Sequence, residues 1–434
     1  MLLFVHKKKT PFPSLPPSPS GNPALHTIES RESWRAAWAV LAILAVIHGT
    51  PLVLVVSLKS IAADLDVPRG TPALAAALQS FGAGIGGIML GWLSDRLGMR
   101  VMAVFGSLAI SAGLVAATFG GAWGLYFGFG VLVGLFGNGA IGAPVMIYIS
   151  RWFDRRRGTA LALVSSGQYV AGAIWPTIFE RGLEHWGWRT TAWAFAAVVA
   201  LVTVPIALIF LRPPPVMPIG GGHTADPVVG ARVLGLHPNL LLTLLSVGIF
   251  LCCVPMAQPM VHLVSFCTDL GISATRGAAM LSVLLASAFV SRQFWGWLAD
   301  RIGGLRAILL GSAAQAVALA LFLFTQDEIG LFAVAAAFGL GFAGLIPNYI
   351  LAARALFPAA EASWRIPVMM FGGLLGMAAG GWMGGLIYDA YGSYIPSFAL
   401  AVLFNLANLV VIGFLVSRLP GRGLRQWSAH PAVA

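Results

Sequence analysis

Charge is what this chain has least of. Asp, Glu, Lys and Arg make up 9% of its 434 residues, against about 25% in an ordinary soluble domain, which is too little to cover a water-facing surface. Acids are scarcest, 15 against 26 basic residues, and none falls in the interior of an apolar run. That argues against a buried carboxylate holding a cation or a proton. Cysteine is nearly missing: Cys252, Cys253 and Cys267 form neither a metal-ligand spacing nor a disulfide framework. There is no Walker-type phosphate loop, so nothing points to an ATP-driven mechanism or to any cofactor. Lys7, Lys8 and Lys9 are followed by six prolines between Pro11 and Pro23 rather than by an apolar stretch. The layout is not that of a cleavable signal peptide, and residues 1–33 read as an extended, disordered tail.

What the chain does have is apolar length. It is 58% hydrophobic, and runs near twenty residues recur throughout, each long enough to cross a core about 30 Å thick as a helix. Twelve spans are expected, at 35–57, 72–93, 101–119, 123–148, 159–179 and 191–211, then 240–266, 275–298, 306–324, 329–353, 366–387 and 394–417. The stretch from Arg212 to Asn239 holds Pro213-Pro214-Pro215 and Gly220-Gly221-Gly222 and is too broken to be a span. The net charge of +11 does not indicate nucleic acid, because the basic residues stand singly between apolar runs. With both termini placed on the cytoplasmic side, 17 arginines flank the inner span ends, and the outer ends keep Lys59, Arg69, Arg181, Arg189 and Arg276. The positive-inside rule selects that orientation, in an inner membrane.

The chain also repeats itself. Gly91-Trp92-Leu93-Ser94-Asp95-Arg96-Leu97-Gly98-Met99-Arg100 returns as Gly296-Trp297-Leu298-Ala299-Asp300-Arg301-Ile302-Gly303, with Arg306 beyond, 205 positions later (296 − 91). A repeat of half the chain length means two copies of one unit. Gly134 and Gly339 are also 205 apart, and Pro144 and Pro347 are 203 apart. Span 1 carries His48-Gly49-Thr50-Pro51 and span 7 carries Pro255 and Pro259; interruptions at matching places in two halves point to a transporter's central site.

The G-x-L-x-D-R-x-G-x-R pattern resembles the loop signature of the major facilitator superfamily. The resemblance covers residues 34 to 417 and implies an all-α integral membrane protein, with twelve transmembrane helices in two pseudo-symmetric six-helix bundles. The bundles would be 34–211 and 240–417, joined by a cytoplasmic linker over 212–239 and followed by a tail over 418–434. In that family the signature acid engages the positive end of a neighbouring helix and nearby arginines, which assigns Asp95, Arg96, Arg100, Asp300, Arg301 and Arg306 to a conformational latch. For the arginines a plain positive-inside role stands beside it. Arg151-Trp152-Phe153-Asp154-Arg155-Arg156-Arg157-Gly158 resembles the loop between spans 4 and 5 in monocarboxylate-transporter-like and oxalate/formate-antiporter-like members.

Arg292 is the one Lys or Arg inside a span, and an intramembrane charge is a functional hypothesis by default. Leu298 is six residues on (298 − 292), about 9 Å along the helix, so a snorkelling side chain is the competing reading. Monocarboxylate transporters place a substrate-binding arginine four residues before the signature glycine, and Arg292 stands four before Gly296; the family's aspartate one turn earlier is here Ala288. Gln168, Tyr169 and Trp175 of span 5, Asn138, Asn348 and His48 are the further cavity candidates, each with interhelical packing as its plainer alternative. Gly82-Ala83-Gly84-Ile85-Gly86-Gly87 matches G-x-G-x-x-G, but no strand precedes it, and close helix contact explains it better. The sequence therefore reads as a secondary or facilitative transporter of a small organic anion, not an enzyme, with protons or a counter-anion as open partners. An exporter of a neutral or amphipathic compound and a transporter-like sensor are the alternatives.

Overall fold

In lipid every backbone N–H and C=O must be satisfied within the chain, and a helix does so without neighbours. The computed structural model describes residues 29–153, 156–214 and 233–419, and over them the chain is helix after helix. Most of the expected N-terminal tail, the middle of the linker and the chain from 420 lie outside the described residues.

Among the described residues, eleven apolar helical stretches are long enough to cross a bilayer. One of them, Thr159–Phe210, has 52 residues, about 78 Å if straight, more than twice the bilayer core. It counts as two crossings, because Gly187 at φ 73° leaves the helical region and folds the chain back. Twelve spans result. The first six are Arg31–Ile47 with Gly49–Asp64, Gly70–Leu97, Met99–Ala116, Gly121–Ser150, 157–186 and 188–210. The second six are Pro238–Asp269, Ala274–Ile302, Gly304–Phe324, Glu328–Leu356, Ala359–Tyr391 and Ile395–Ser417.

Span 1 breaks at His48, where Pro51 removes an N–H and its ring crowds the carbonyl four residues back. Span 7 stays one helix through Pro255 and Pro259, so the expected paired interruption is a break in one half only. Gly49, a weak helix former beside Pro51, has no counterpart next to the span 7 prolines.

The repeat is visible in three dimensions. Gly98 (φ 84°, ψ 152°) and Gly303 (φ 84°, ψ 154°) end spans 2 and 8 in one conformation that a side chain would strain. Gly134 lies so close to the Gln79 carbonyl that a Cβ would collide with it, and Gly339 stands likewise against Leu284. Gln79 and Leu284 are themselves 205 apart (284 − 79). Gly82 and Gly86 press on the backbone of span 4 at Gly130 and Leu135, so the glycine-rich stretch is a helix-packing surface. The end of the molecule with the two repeated loops is called the signature end below, and the opposite one the far end.

Candidate functional site

Arg292 points across the line between the halves. Its guanidinium carbon stands 5.4 Å from the ring centroid of Tyr169 in span 5, within cation–π range. Tyr169 is buried and Arg292 half-buried. Among the described residues no ion pair or hydrogen bond reaches that guanidinium. Gln168, next to Tyr169, is exposed, and Gly172 lies one turn on, where span 5 touches Leu285 of span 8.

The other candidates lie elsewhere. Trp175 donates its indole N–H to the Ala45 carbonyl at 2.7 Å and stacks on Phe179 at 5.4 Å, and a Cβ on Gly49 would meet its ring. It braces the break in span 1, where His48 Nδ1 donates to the Leu44 carbonyl at 2.8 Å. Asn138 is half-buried at the end of a wide, glycine-rich helical stretch over Tyr126–Asn138. Asn348 is buried within the second half against Gly304 of span 9, its amide N without a partner among the described residues. Arg292 and Tyr169 are thus brought together, with Gln168 beside them; the rest are not.

The two halves are fastened at the far end. Asp269, ending span 7, accepts from Arg69 Nη2 at 2.8 Å and Lys59 Nζ at 2.9 Å. Asp389, near the end of span 11, accepts from the backbone N–H of Arg69 at 2.8 Å and of Gly70 at 2.7 Å. It satisfies donors at the start of span 2 that no helix can satisfy itself, and its charge suits that positive end. The Arg69 guanidinium also lies 3.7 Å from the Tyr388 ring centroid and donates to Tyr394 Oη at 3.3 Å. Burial alone would loosen Arg69's hold on its proton; the hydrogen bonds it donates to Asp269 and Tyr394 outweigh that and hold it above its ordinary range. Burial pushes the Tyr394 phenol up to about 12, against the pull of Arg69. Arg69 therefore stays charged and the Tyr394 phenol neutral near neutral pH.

A family model described as Major Facilitator Superfamily matches residues 38–325 and 245–432. The chain belongs to the major facilitator superfamily. Monocarboxylate transporter 13 of Bos taurus is 30% identical over 357 residues, 77% of each chain. Monocarboxylate transporter 11 of Homo sapiens is 26% identical over 434 residues, 95% of this chain and 88% of that one. The fold matches a bacterial homologue of the lysosomal transporter Spinster, solved inward-facing and occupied, at TM-score 0.68 and 15% identity, over 88% of this chain and 96% of that one. This facilitator is a multi-pass membrane transporter of a small molecule, and not an enzyme.

At the signature end of this facilitator the arginines lie back on their own helices. Arg96 covers the Trp92 ring at 3.8 Å and Arg301 the Trp297 ring at 4.0 Å, another matched pair. Arg100 Nε donates to the Leu211 carbonyl at 2.9 Å. Asp300 is exposed, Arg306 half-buried, and neither makes a hydrogen bond or ion pair among the described residues. The side chain of Asp95 lies outside those described. A cavity of about 420 Å³ beside this loop is lined by Arg96, Arg100, Arg151 and Arg212 and does not include Arg292.

A second expectation is corrected. Span 5 does not stop at 179, and Glu180, 4% exposed, is an acid buried within its helix. The apolar run ends at Phe179, but the helix continues to Gly187 and Glu180 is buried along it. Sequence reasoning missed the far-end gate as well; Lys59 and Arg69 counted only as outer loop charges.

Proposed function

We propose that this transporter moves a small organic anion by alternating access, Arg292 gripping the carboxylate beside Tyr169. The observation that carries the reading is an intramembrane guanidinium at the junction of the halves with no acid in reach among the described residues. A cation placed there is costly unless a partner comes to it, and an anion from solution is that partner. The relatedness to monocarboxylate transporters supports the same class of cargo. The signature end is the cytoplasmic one, with both termini inside and the far end facing out of an inner membrane; the far-end gate is then shut, and the latch residues Asp95, Asp300 and their arginines await the opposite state.

Purified transporter in liposomes should take up labelled monocarboxylates or dicarboxylates and leave their amides outside. Uptake of the amides at the rate of the acids, or of neither, would remove the organic-anion assignment. Orientation has its own check. With buried Cys252, Cys253 and Cys267 replaced by alanine, a cysteine at exposed His185 should react with impermeant thiol reagent in whole cells, and one at exposed Ala355 should not. The reverse labelling would invert the topology.

A further inference from the structure

Span 5 carries a carboxylate that nothing above employs. Glu180 is 4% exposed, and among the described residues no hydrogen bond or ion pair reaches it. It stands eleven residues past Tyr169 (180 − 169) and four before Glu184 (184 − 180). At about 100° per residue, eleven residues make three turns and come back to within about 20° of the same face. That face is fixed on both sides of Glu180: Tyr169 meets Arg292, and Glu184 accepts from Thr275 Oγ1 at 3.1 Å, both partners on span 8. The opposite side, at 174, 178, 181 and 185, is exposed. Glu180 therefore lies on the face of span 5 turned to span 8, about 16 Å farther along the helix than Tyr169, in the closed half of the molecule.

Its surroundings offer no compensation. The charge that bears on it is that of Glu184, of like sign. On span 1, Lys59 is bonded to Asp269 and Asp64 to Arg189 at the start of span 6; on span 8, Arg276 is bonded to Glu328. His48 lies deeper and gives its Nδ1 proton to Leu44, while Arg181 and His185 stand on the exposed side of span 5. A carboxylate taken out of water with no partner is a cost that a proton removes.

We propose that Glu180 is a proton-binding site and that the far end closes only when it is protonated. With the far end open, spans 5 and 8 part there and the carboxylate meets the far-side solution. Closure strips its water, so the charged side chain first takes a proton from that solution, becoming a neutral carboxylic acid; no bond in the protein is made or broken besides that O–H. Closure is thus linked to far-side acidity, while Arg69 of the gate keeps its charge. The inference rests on the alternating-access reading above but not on the identity of the cargo.

The test needs no substrate. Spin labels at exposed Ala63 of span 1 and Gln326, in the loop between spans 9 and 10, report the far-end distance in the otherwise Cys-free protein, reconstituted and titrated between about pH 5 and pH 9. In the parent protein the open-to-closed ratio should rise with pH, approaching tenfold per pH unit once the group is deprotonated, as one linked proton requires. Glu180→Gln, which mimics the protonated acid, should stay closed throughout, and Glu180→Asp should keep the pH dependence, showing that the position tolerates change. A pH dependence that survives Glu180→Gln, or a parent protein whose ratio does not respond to pH, overturns the proposal and leaves the Arg292 reading untouched.

Discussion

Arg292→Ala is expected to abolish carboxylate transport while the protein still inserts and folds. Removing one partner of a desolvated charge pair costs about 2–5 kcal/mol, roughly 30- to several-thousand-fold in affinity at 1.4 kcal/mol per tenfold. Folding should not suffer, because a central arginine opposes insertion by about 2.5–3.5 kcal/mol and its loss favours the span. Arg292→Lys should recover little, since an ammonium lacks the planar fork that meets both oxygens of a carboxylate. A merely snorkelling side chain predicts another order: lysine reaches the interface as well and would substitute. The cation–π contact to Tyr169 places the guanidinium toward the other half rather than along its own helix toward the signature end.

The second large effect belongs to the far end. Asp269→Asn removes the negative charge shared by Arg69 and Lys59 and one of the two oxygens that accept from them, leaving a largely buried guanidinium against a neutral amide, Tyr388 and Tyr394. Hydrogen bonds between charged groups contribute about 1.5–3 kcal/mol each. The equilibrium should move toward the far-end-open state by roughly tenfold or more. Asp389→Asn should move it the same way and by less, because its partners are the backbone N–H groups of Arg69 and Gly70 rather than cationic side chains, and no ion pair is lost. Distances between spin labels at 63 and 326 check both variants. An unchanged distribution in Asp269→Asn would mean that packing of span 2 on span 11, through Gly385 against Gly70 and Ala73, holds the end shut unaided.

Most of the fold was legible because the period of a lipid-facing helix and the chemistry of a turn are local matters. Gly98 and Gly303 could be paired from sequence, and they share one backbone conformation because the same ten-residue pattern dictates it twice. Arg292 was legible as a charge where charges are expensive, but its meeting with Tyr169 joins residues 123 apart (292 − 169) and depends on how the halves pack. Trp175 shares a helical face with Gln168 in the sequence pattern, yet its indole turns to Ala45, since the broken helix at His48 exposes a carbonyl that wants a donor. The far-end gate was invisible for a related reason: Asp269 and Asp389 look like ordinary span-end acids until the ends of spans 2, 7 and 11 are placed together. Glu180 was hidden because hydropathy ends a span where the apolar run ends, while the helix and its burial extend farther.

Equilibrium binding of one transported carboxylate to purified wild type, Arg292→Ala and Arg292→Lys in detergent tests the central claim most directly. The account predicts saturable binding to wild type, none to the alanine variant and little to the lysine variant. Alanine that still binds, with lysine indistinguishable from wild type, would contradict it.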